Sequence, residues 1–398
     1  MALELNKLTK DVNALGQNLA ERLAALAEQL PAAQTALVGI GVADEALLRK
    51  VAAARQHRWA GAIPTAEAVG ESFPLPPAPA RYNVIAADGS QVYPDRHGVA
   101  LYYLINIGSI VFRSGLAQAP STSSEPEVHY EEEDLYEDEG GQKPKVKIDA
   151  ERDRAELAEL ARLAEMEALA GPDHSVTLLD NGLLLYLSLQ VDDQALIREL
   201  LNRYIDQLDR LAASGAAVAG VVDRPRAASV VRLLHLDSLA PEQITDEALR
   251  RLGDWERLTD GALFDFLQPG ERSALFVHAS PANEIYYAPR GHSLYFFYVN
   301  AGRNGKSSLL RVEVPEWVAR DPERLNLVHL ALVEQSRVSD GFPYVLMRAH
   351  ELAVVTLSER RSFDEMVMGA LVRQKLRPGI SQKAQGKAWT GAGRRRYP

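Results

Sequence analysis

The chain has 398 residues, 46% of them hydrophobic, and 54 acidic against 44 basic side chains give it a net charge of −10. That is the profile of a globular protein with one large core or two ordinary ones, and the acid surplus argues against autonomous nucleic-acid binding, which relies on Lys and Arg displacing counterions. With no cysteine, disulfides, thiolate zinc sites, iron–sulfur clusters and thiol nucleophiles are excluded, so any metal must be held by carboxylates and histidines.

The opening Met1-Ala-Leu-Glu-Leu-Asn6 lacks the basic head and apolar middle of a signal peptide, and no stretch is long and apolar enough to span a bilayer. A cytoplasmic setting without a membrane partner is expected. Residues 2–58 read as helix, with Leu5, Leu8, Val12, Leu15, Leu19, Leu23, Leu26 and Leu30 forming one apolar stripe at three- and four-residue spacings. Pro31 is expected to break or end it. Such a stripe needs a covering surface from its own domain, a second protomer or a partner. Residues 1–72 are therefore assigned as a helical extension for assembly or partner contact. A stiff proline-rich connector, Phe73-Pro-Leu-Pro-Pro-Ala-Pro79, occupies 73–81.

From Tyr82 the pattern is α/β. Strands are expected near 82–87 and 99–113, then an acidic segment from Glu125 to Glu139, a helix near 149–170, a strand at 176–180 and a helix near 192–213. A strand at 217–222, a helical middle, strands near 273–279, 293–300 and 309–314, and helices near 322–338 and 344–358 complete the series. This alternation favours a mixed sheet with helices on its faces. The acidic segment lacks the fixed spacing of a calcium loop and reads as a solvated loop or edge hairpin. Gly302-Arg-Asn-Gly-Lys-Ser307 is too short for a Walker motif and reads as a polar hairpin turn.

Two of these strands carry the chemistry. Tyr82-Asn-Val-Ile-Ala-Ala-Asp88-Gly89-Ser90-Gln91 and Val176-Thr-Leu-Leu-Asp180-Asn181-Gly182 are apolar runs that end in an aspartate followed within two residues by glycine. Alone, each also reads as the opening of a turn. As neighbours in a sheet they bring both carboxylates to one rim, where divalent cations can be shared and a phosphate clamped. Phosphodiester hydrolysis needs an activated water, an in-line approach and positive charge at the phosphoryl oxygens, and two cations supply all three. In this reading Asp88 bridges the ions, Gly89 lets the backbone turn sharply, Ser90 and Gln91 orient substrate or water, and Asp180 is the second anchor. His350 sits on a helix introduced by Gly341-Phe342-Pro343 and is read as a further ligand or as the group that protonates the leaving oxygen. Carboxylates with one imidazole suit manganese better than magnesium.

Ala87-Asp88-Gly89-Ser90-Gln91 resembles the first signature of the NurA family of DNA-end-processing nucleases, and Leu178-Leu179-Asp180-Asn181-Gly182-Leu183-Leu184 resembles the second. Val221-Val222-Asp223-Arg224-Pro225 and the stretch from Gly341 to His350 are similar to later blocks. The resemblance implies a ribonuclease H-like mixed sheet flanked by helices over residues 82–360. It also implies manganese-dependent cleavage of DNA ends with two Mn2+ ions, Mg2+ being less suited. The implied enzyme is a 5′–3′ exonuclease with single-strand endonuclease activity, a homodimer that works with a hexameric HerA-type translocase in end resection at double-strand breaks.

The resemblance further places a glutamate on the helix after Asp149. With Leu157, Leu160, Ala161, Ala164 and Ala168 as the buried face, Glu156 lies on its border and Glu159 points further towards water, so Glu156 is preferred over Glu159 and Glu165. Phe342 stands where many members carry tyrosine, so any hydroxyl-dependent role is vacant or passes to Tyr344. Asp223 precedes Arg224, and the phosphate-facing role falls to Arg224.

After Glu365 there is no acid, while Arg373, Lys375, Arg377, Lys383, Lys387, Arg394, Arg395 and Arg396 form a basic C-terminal region, 361–398. The other 36 bases face all 54 acids, so residues 1–365 carry about −18. Handling DNA then requires a locally basic surface, such as the inner channel of a ring-shaped dimer, or a partner that delivers the strand. Two other readings stay open: a non-catalytic adaptor of the same fold that binds DNA or a motor, and a different carboxylate-metal phosphoesterase.

Overall fold

The computed structural model of the chain describes residues 4–137, 140–171, 174–185, 193–303 and 305–376. Among them the strands are β1 (Ala62–Pro64), β2 (Ser72–Phe73), β3 (Tyr82–Val92), β4 (Tyr103–Ser114), β5 (Ser121–His129), β6 (Ser175–Leu179), β7 (Ala217–Asp223), β8 (Arg272–Ser273), β9 (Phe276–His278), β10 (Leu294–Asn300) and β11 (Leu309–Pro315). As far as they are described, Met1–Ala80, Asp180–Leu185 and Ala217–Tyr344 form one compact unit, and Arg81–Leu179, Tyr186–Ala216 and Val345–Pro398 form a second.

In the second unit the strand order is β6-β3-β4-β5. β6 runs parallel to β3, with Ala87 opposite Leu179, and the remaining pairs are antiparallel. The first half of β3 and all of β6 are buried, as expected of strands covered on both faces, which is why they read as unbroken apolar runs. The chain returns to β6 through the helix Lys145–Ala170, whose Ile148, Leu157, Leu160, Ala161 and Ala164 recur on one buried face. Beside it packs the helix Gln194–Ser214. Asp193 caps this second helix by accepting from the N–H groups of Ala195 and Leu196, and Gly215 ends it at φ 82.

Two expectations change in this unit, and the edge hairpin allowed for the acidic segment is found in part. β3 does not end at Asp88, because β4 keeps pairing with it from Asp88 opposite Gly108 to Val92 opposite Leu104. Asp88 is terminal only with respect to β6. The acidic segment divides into the edge strand β5 and a single helical turn, Glu132–Leu135, with 138–139 outside the described residues. Charges on an edge strand discourage pairing with other chains. The helix expected over 344–358 is two helices, Tyr344–Ala353 and Leu357–Arg373, the second opened by a Thr356/Glu359 capping box.

In the first unit the order is β1-β9-β10-β11-β7, with β8 joined to β10 and β2. Its core includes Leu37, Leu47, Val51, Trp59, Phe264, Phe276, Phe296 and Tyr298. The helix Thr9–Ile40 runs through Pro31 and stops at Gly41, which sits at φ 60. Interior proline costs a helix about 3 kcal/mol, but Ala33 and Leu37 are fully buried beyond it and Gln34 Nε2 donates to Leu263 O at 3.3 Å and Asp265 Oδ1 at 2.6 Å. Packing outweighs the local preference. Leu26 and Leu30 of the stripe lie against the core, whereas Leu5, Leu8, Val12, Leu15, Leu19 and Leu23 are 37–69% exposed.

Among the buried histidines of this unit are His278 and His329. Burial pulls each down to about 4, and His329 Nε2 donates to Gly270 O at 2.8 Å. Both take up protons more readily unfolded than folded, so stability should rise with pH from about 4 to 6.5 and fall as acid is added through that window. A buried shift of this size corresponds to roughly 3 kcal/mol per histidine. Urea unfolding at pH 7 and pH 4.5 should show the loss, and His329→Gln should reduce the difference.

Candidate metal-binding and catalytic site

Asp88 and His350 meet directly: Nδ1 of His350 donates to Asp88 Oδ2 at 2.7 Å. The imidazole is the more open partner, with a side chain 62% exposed against 16% for Asp88. Their meeting depends on how the helix Tyr344–Ala353 sits on β4. Gly108, the register partner of Asp88, lies so close to this helix that a Cβ there would strike the backbone of Ala349 and Ala353. Asn106 Nδ2 and Ser90 Oγ both donate to Ala353 O, at 2.8 and 2.5 Å, and fasten the end of the helix to the two strands.

Glu156 is held beside this pair. It is 6% exposed, its carboxylate accepts the N–H of Gly89, and Arg152 Nε lies 3.3 Å from it. Burial, followed by the charge of Asp153, pushes its pKa well up; Arg152 opposes the rise and Asp88 adds to it. Asp153 is also raised, mainly by burial, against the pull of Arg152. Gln91 links the outer part of the cluster, donating to Asp149 Oδ1 at 2.9 Å and accepting from Arg152 Nη1 at 3.2 Å, while Tyr93 OH also donates to Asp149.

Four carboxylates, Asp88, Asp149, Asp153 and Glu156, thus adjoin one arginine and one imidazole. An added cation stabilises crowded carboxylates, and oxygen donors with one nitrogen suit a divalent ion by chemistry. Among the described residues, no three His, Asp or Glu side chains already converge as a ligand set; Asp88 and His350 are instead bonded to each other. The donors fit a metal by kind.

Glycine at 89 serves close approach and makes no turn, since it lies within β3. A Cβ there would come within 2.7 Å of both Arg152 Cγ and Glu156 Oε1. Gly89→Ala is therefore expected to displace the Glu156 carboxylate, costing about 1–3 kcal/mol of stability. Thermal unfolding of the variant beside the parent protein would check this.

The NurA domain family matches residues 82–355, more than two thirds of the chain. The chain belongs to the NurA family. Its fold is similar to the crystal structure of the NurA nuclease from Sulfolobus solfataricus, with 15% identity, a TM-score of 0.52, and coverage of 94% of this chain and 98% of that one. A weaker similarity, with 13% identity and a TM-score of 0.35, joins 75% of this chain to 90% of a NurA bound to dAMP and manganese. No curated protein gives a significant match. The expected mixed sheet flanked by helices is the fold found, and it is similar to that of the Sulfolobus enzyme.

Within the NurA-matched region the other candidates are placed as follows. Leu179 is the register partner of Ala87, and Asp180 follows Leu179 in the chain as Asp88 follows Ala87. Asp180, Arg224 and Tyr344 belong to the first unit. Arg224 is held at φ 46, and its guanidinium, 92% exposed, lies 3.7 Å from Asp223, a pair worth little in water. Tyr344 is half-buried at the start of its helix, and Phe342 is half-buried two residues before it. Glu159 does not point to water as expected: it accepts from Ser109 Oγ at 2.9 Å and pairs with Arg162 at 2.7 Å, because β4 covers that side of the helix. Glu165 pairs with Arg210 at 2.9 Å. Arg152, Asp153, Asn106 and Gly108 were not singled out from sequence. Only Gly108 left a signal, as a lone glycine inside an apolar strand. Arg377, Lys383, Lys387 and Arg394 to Arg396 lie outside the described residues.

Proposed function

We propose that this NurA-family chain is a metal-dependent DNA nuclease that hydrolyses phosphodiester bonds at DNA ends. The observation that carries the reading is the Asp88–His350 hydrogen bond at 2.7 Å, inside the family-matched region and one residue from the Gly89 N–H that holds Glu156. Asp88, Glu156, Asp180 and His350 would hold Mn2+, two ions in the fullest form of the site. When bound, the metal activates water and neutralises charge gathering on the phosphoryl oxygens.

The chain's own residues supply position and proton handling. Asp88 accepts the Nδ1 proton of His350 and so fixes the ring, leaving Nε2 to bind metal or to serve the departing oxygen. Arg152 offsets part of the negative charge that Glu156 and Asp153 accumulate. Ser90, Gln91, Arg224 and Tyr344 are proposed substrate contacts. Ser90 and Gln91 would act largely through the bonds that brace the site.

The finer reading is a 5′–3′ exonuclease with single-strand endonuclease activity, a homodimer that receives DNA from a HerA-type hexameric translocase during end resection. A chain of net charge −10 is poorly suited to capturing DNA unaided, which favours delivery by a partner. The test is end-labelled single- and double-stranded DNA incubated with the protein and Mn2+, Mg2+ or EDTA, with and without the translocase. Cleavage in Mn2+ that EDTA abolishes is expected. No cleavage under any of these conditions would overturn the enzyme reading in favour of an adaptor.

A further inference from the structure

A cavity of about 520 Å3 in the first unit is lined by His57, Arg58, Trp59, Arg232, Asp246 and Arg250 among others. It lies at the C-terminal end of the helix Glu45–Arg55 and draws its other walls from the helices Ser229–Ser238 and Asp246–Arg250. Arginines just outside it are neutralised: Arg55 pairs with Glu284 at 2.9 Å, and Arg251 with Glu247 at 3.4 Å. Inside, the balance differs. The lining acid, Asp246, is engaged by His57 Nδ1 at 2.9 Å. Arg232 donates to a neutral carbonyl, Leu249 O, at 3.3 Å. Arg58 and Arg250 form no ion pair among the described residues.

Three guanidinium groups therefore share one concave surface with a single carboxylate, Asp246, which His57 already engages, in a chain whose acids outnumber its bases. Like charges gathered this way repel one another until an anion joins them, and the planar fork of arginine matches phosphate oxygens in pairs. Trp59, 4% exposed, makes the wall rigid, because Gly61 lets the backbone lie against its indole where a Cβ would overlap the ring. Arg58 is held at φ 53, a conformation in which arginine is uncommon and asparagine is more at ease. The volume falls within the range of small-ligand sites.

We propose that this cavity is an anion site that binds a nucleotide phosphate, whether of a free nucleotide or of an oligonucleotide, through residues none of which belongs to the Asp88 site. The test is titration calorimetry on the full chain in EDTA, with inorganic phosphate, a deoxynucleoside 5′-monophosphate and a short single-stranded oligonucleotide as probes. The proteins compared are wild type, Asp88→Asn, Arg250→Glu and the double variant Arg58→Asn/Arg250→Gln. Both arginines are exposed, and asparagine retains the backbone of position 58, so the variants should unfold at the wild-type temperature. Wild type and Asp88→Asn should bind with equal affinity, and both arginine variants at least tenfold more weakly. Equal affinity for mononucleotide and oligonucleotide identifies a nucleotide site, whereas binding of the oligonucleotide alone identifies a backbone contact. Absence of binding by wild type, or unchanged affinity in Arg250→Glu, overturns the proposal.

Discussion

Asp88→Asn is expected to lower the rate of DNA cleavage at saturating substrate by about a hundredfold or more, the scale seen when an electrostatic contributor is removed from an active site. The folded state should barely change. The amide keeps the shape of the carboxylate, and its oxygen can still accept the His350 Nδ1–H that Asp88 accepts at 2.7 Å. What is lost is the charge that would hold a cation. Glu156→Gln is expected to damage activity as well, yet to cost little stability, because burial and Asp153 already disfavour the charged form of Glu156. Single-turnover rates and circular dichroism on the same preparations separate the two effects. Cleavage by Asp88→Asn at near wild-type rates would refute the metal assignment.

The largest effect on stability is expected at Arg311. Its guanidinium lies over Phe296 at 3.7 Å, donates to Tyr298 OH at 3.2 Å, and pairs with Glu313 at 3.1 Å, with side chains only 5% and 6% exposed. Tyr298 OH in turn donates to the fully buried Asp260 at 2.7 Å, which also accepts three backbone N–H groups, from Ser229, Val230 and Val231. Burial works to raise the pKa of Glu313, but Arg311, His278 and the Leu184 N–H together offset it and leave the carboxyl below its usual range. Arg311→Met would leave that charge buried without its counterion, a change that costs about 3–5 kcal/mol. Glu313 Oε2 also accepts the Leu184 N–H at 3.3 Å, and a Cβ on Gly182 would fall 2.7 Å from it, so the loop that follows Asp180 should loosen as well. Denaturant unfolding measures the loss. Arg311→Met/Glu313→Leu should recover part of it, and a cost below about 1 kcal/mol for the single variant would show that the network does not support the fold.

The sequence by itself determined the strands β3 and β6 and marked Asp88, Glu156 and His350, which lie together in the second unit. Strands buried on both faces must be apolar throughout, so β3 and β6 announce themselves as runs, and the acids Asp88 and Asp180 stand out against them. Helical periodicity likewise brought Glu156 to the border of a buried face. Tertiary structure decided what local pattern cannot encode. Whether a strand ends depends on its neighbour, and β4 keeps β3 extended past Asp88 while β6 does not. Whether proline ends a helix depends on what the next turn buries, here Ala33 and Leu37. The role of Gly89 depends on side chains more than sixty residues away in sequence, because the space it leaves is filled by Arg152 and Glu156. Arg152 and Asp153 acquire significance only through the desolvation and charge they share with Glu156, since burial and proximity across the chain belong to the folded state and not to any one segment.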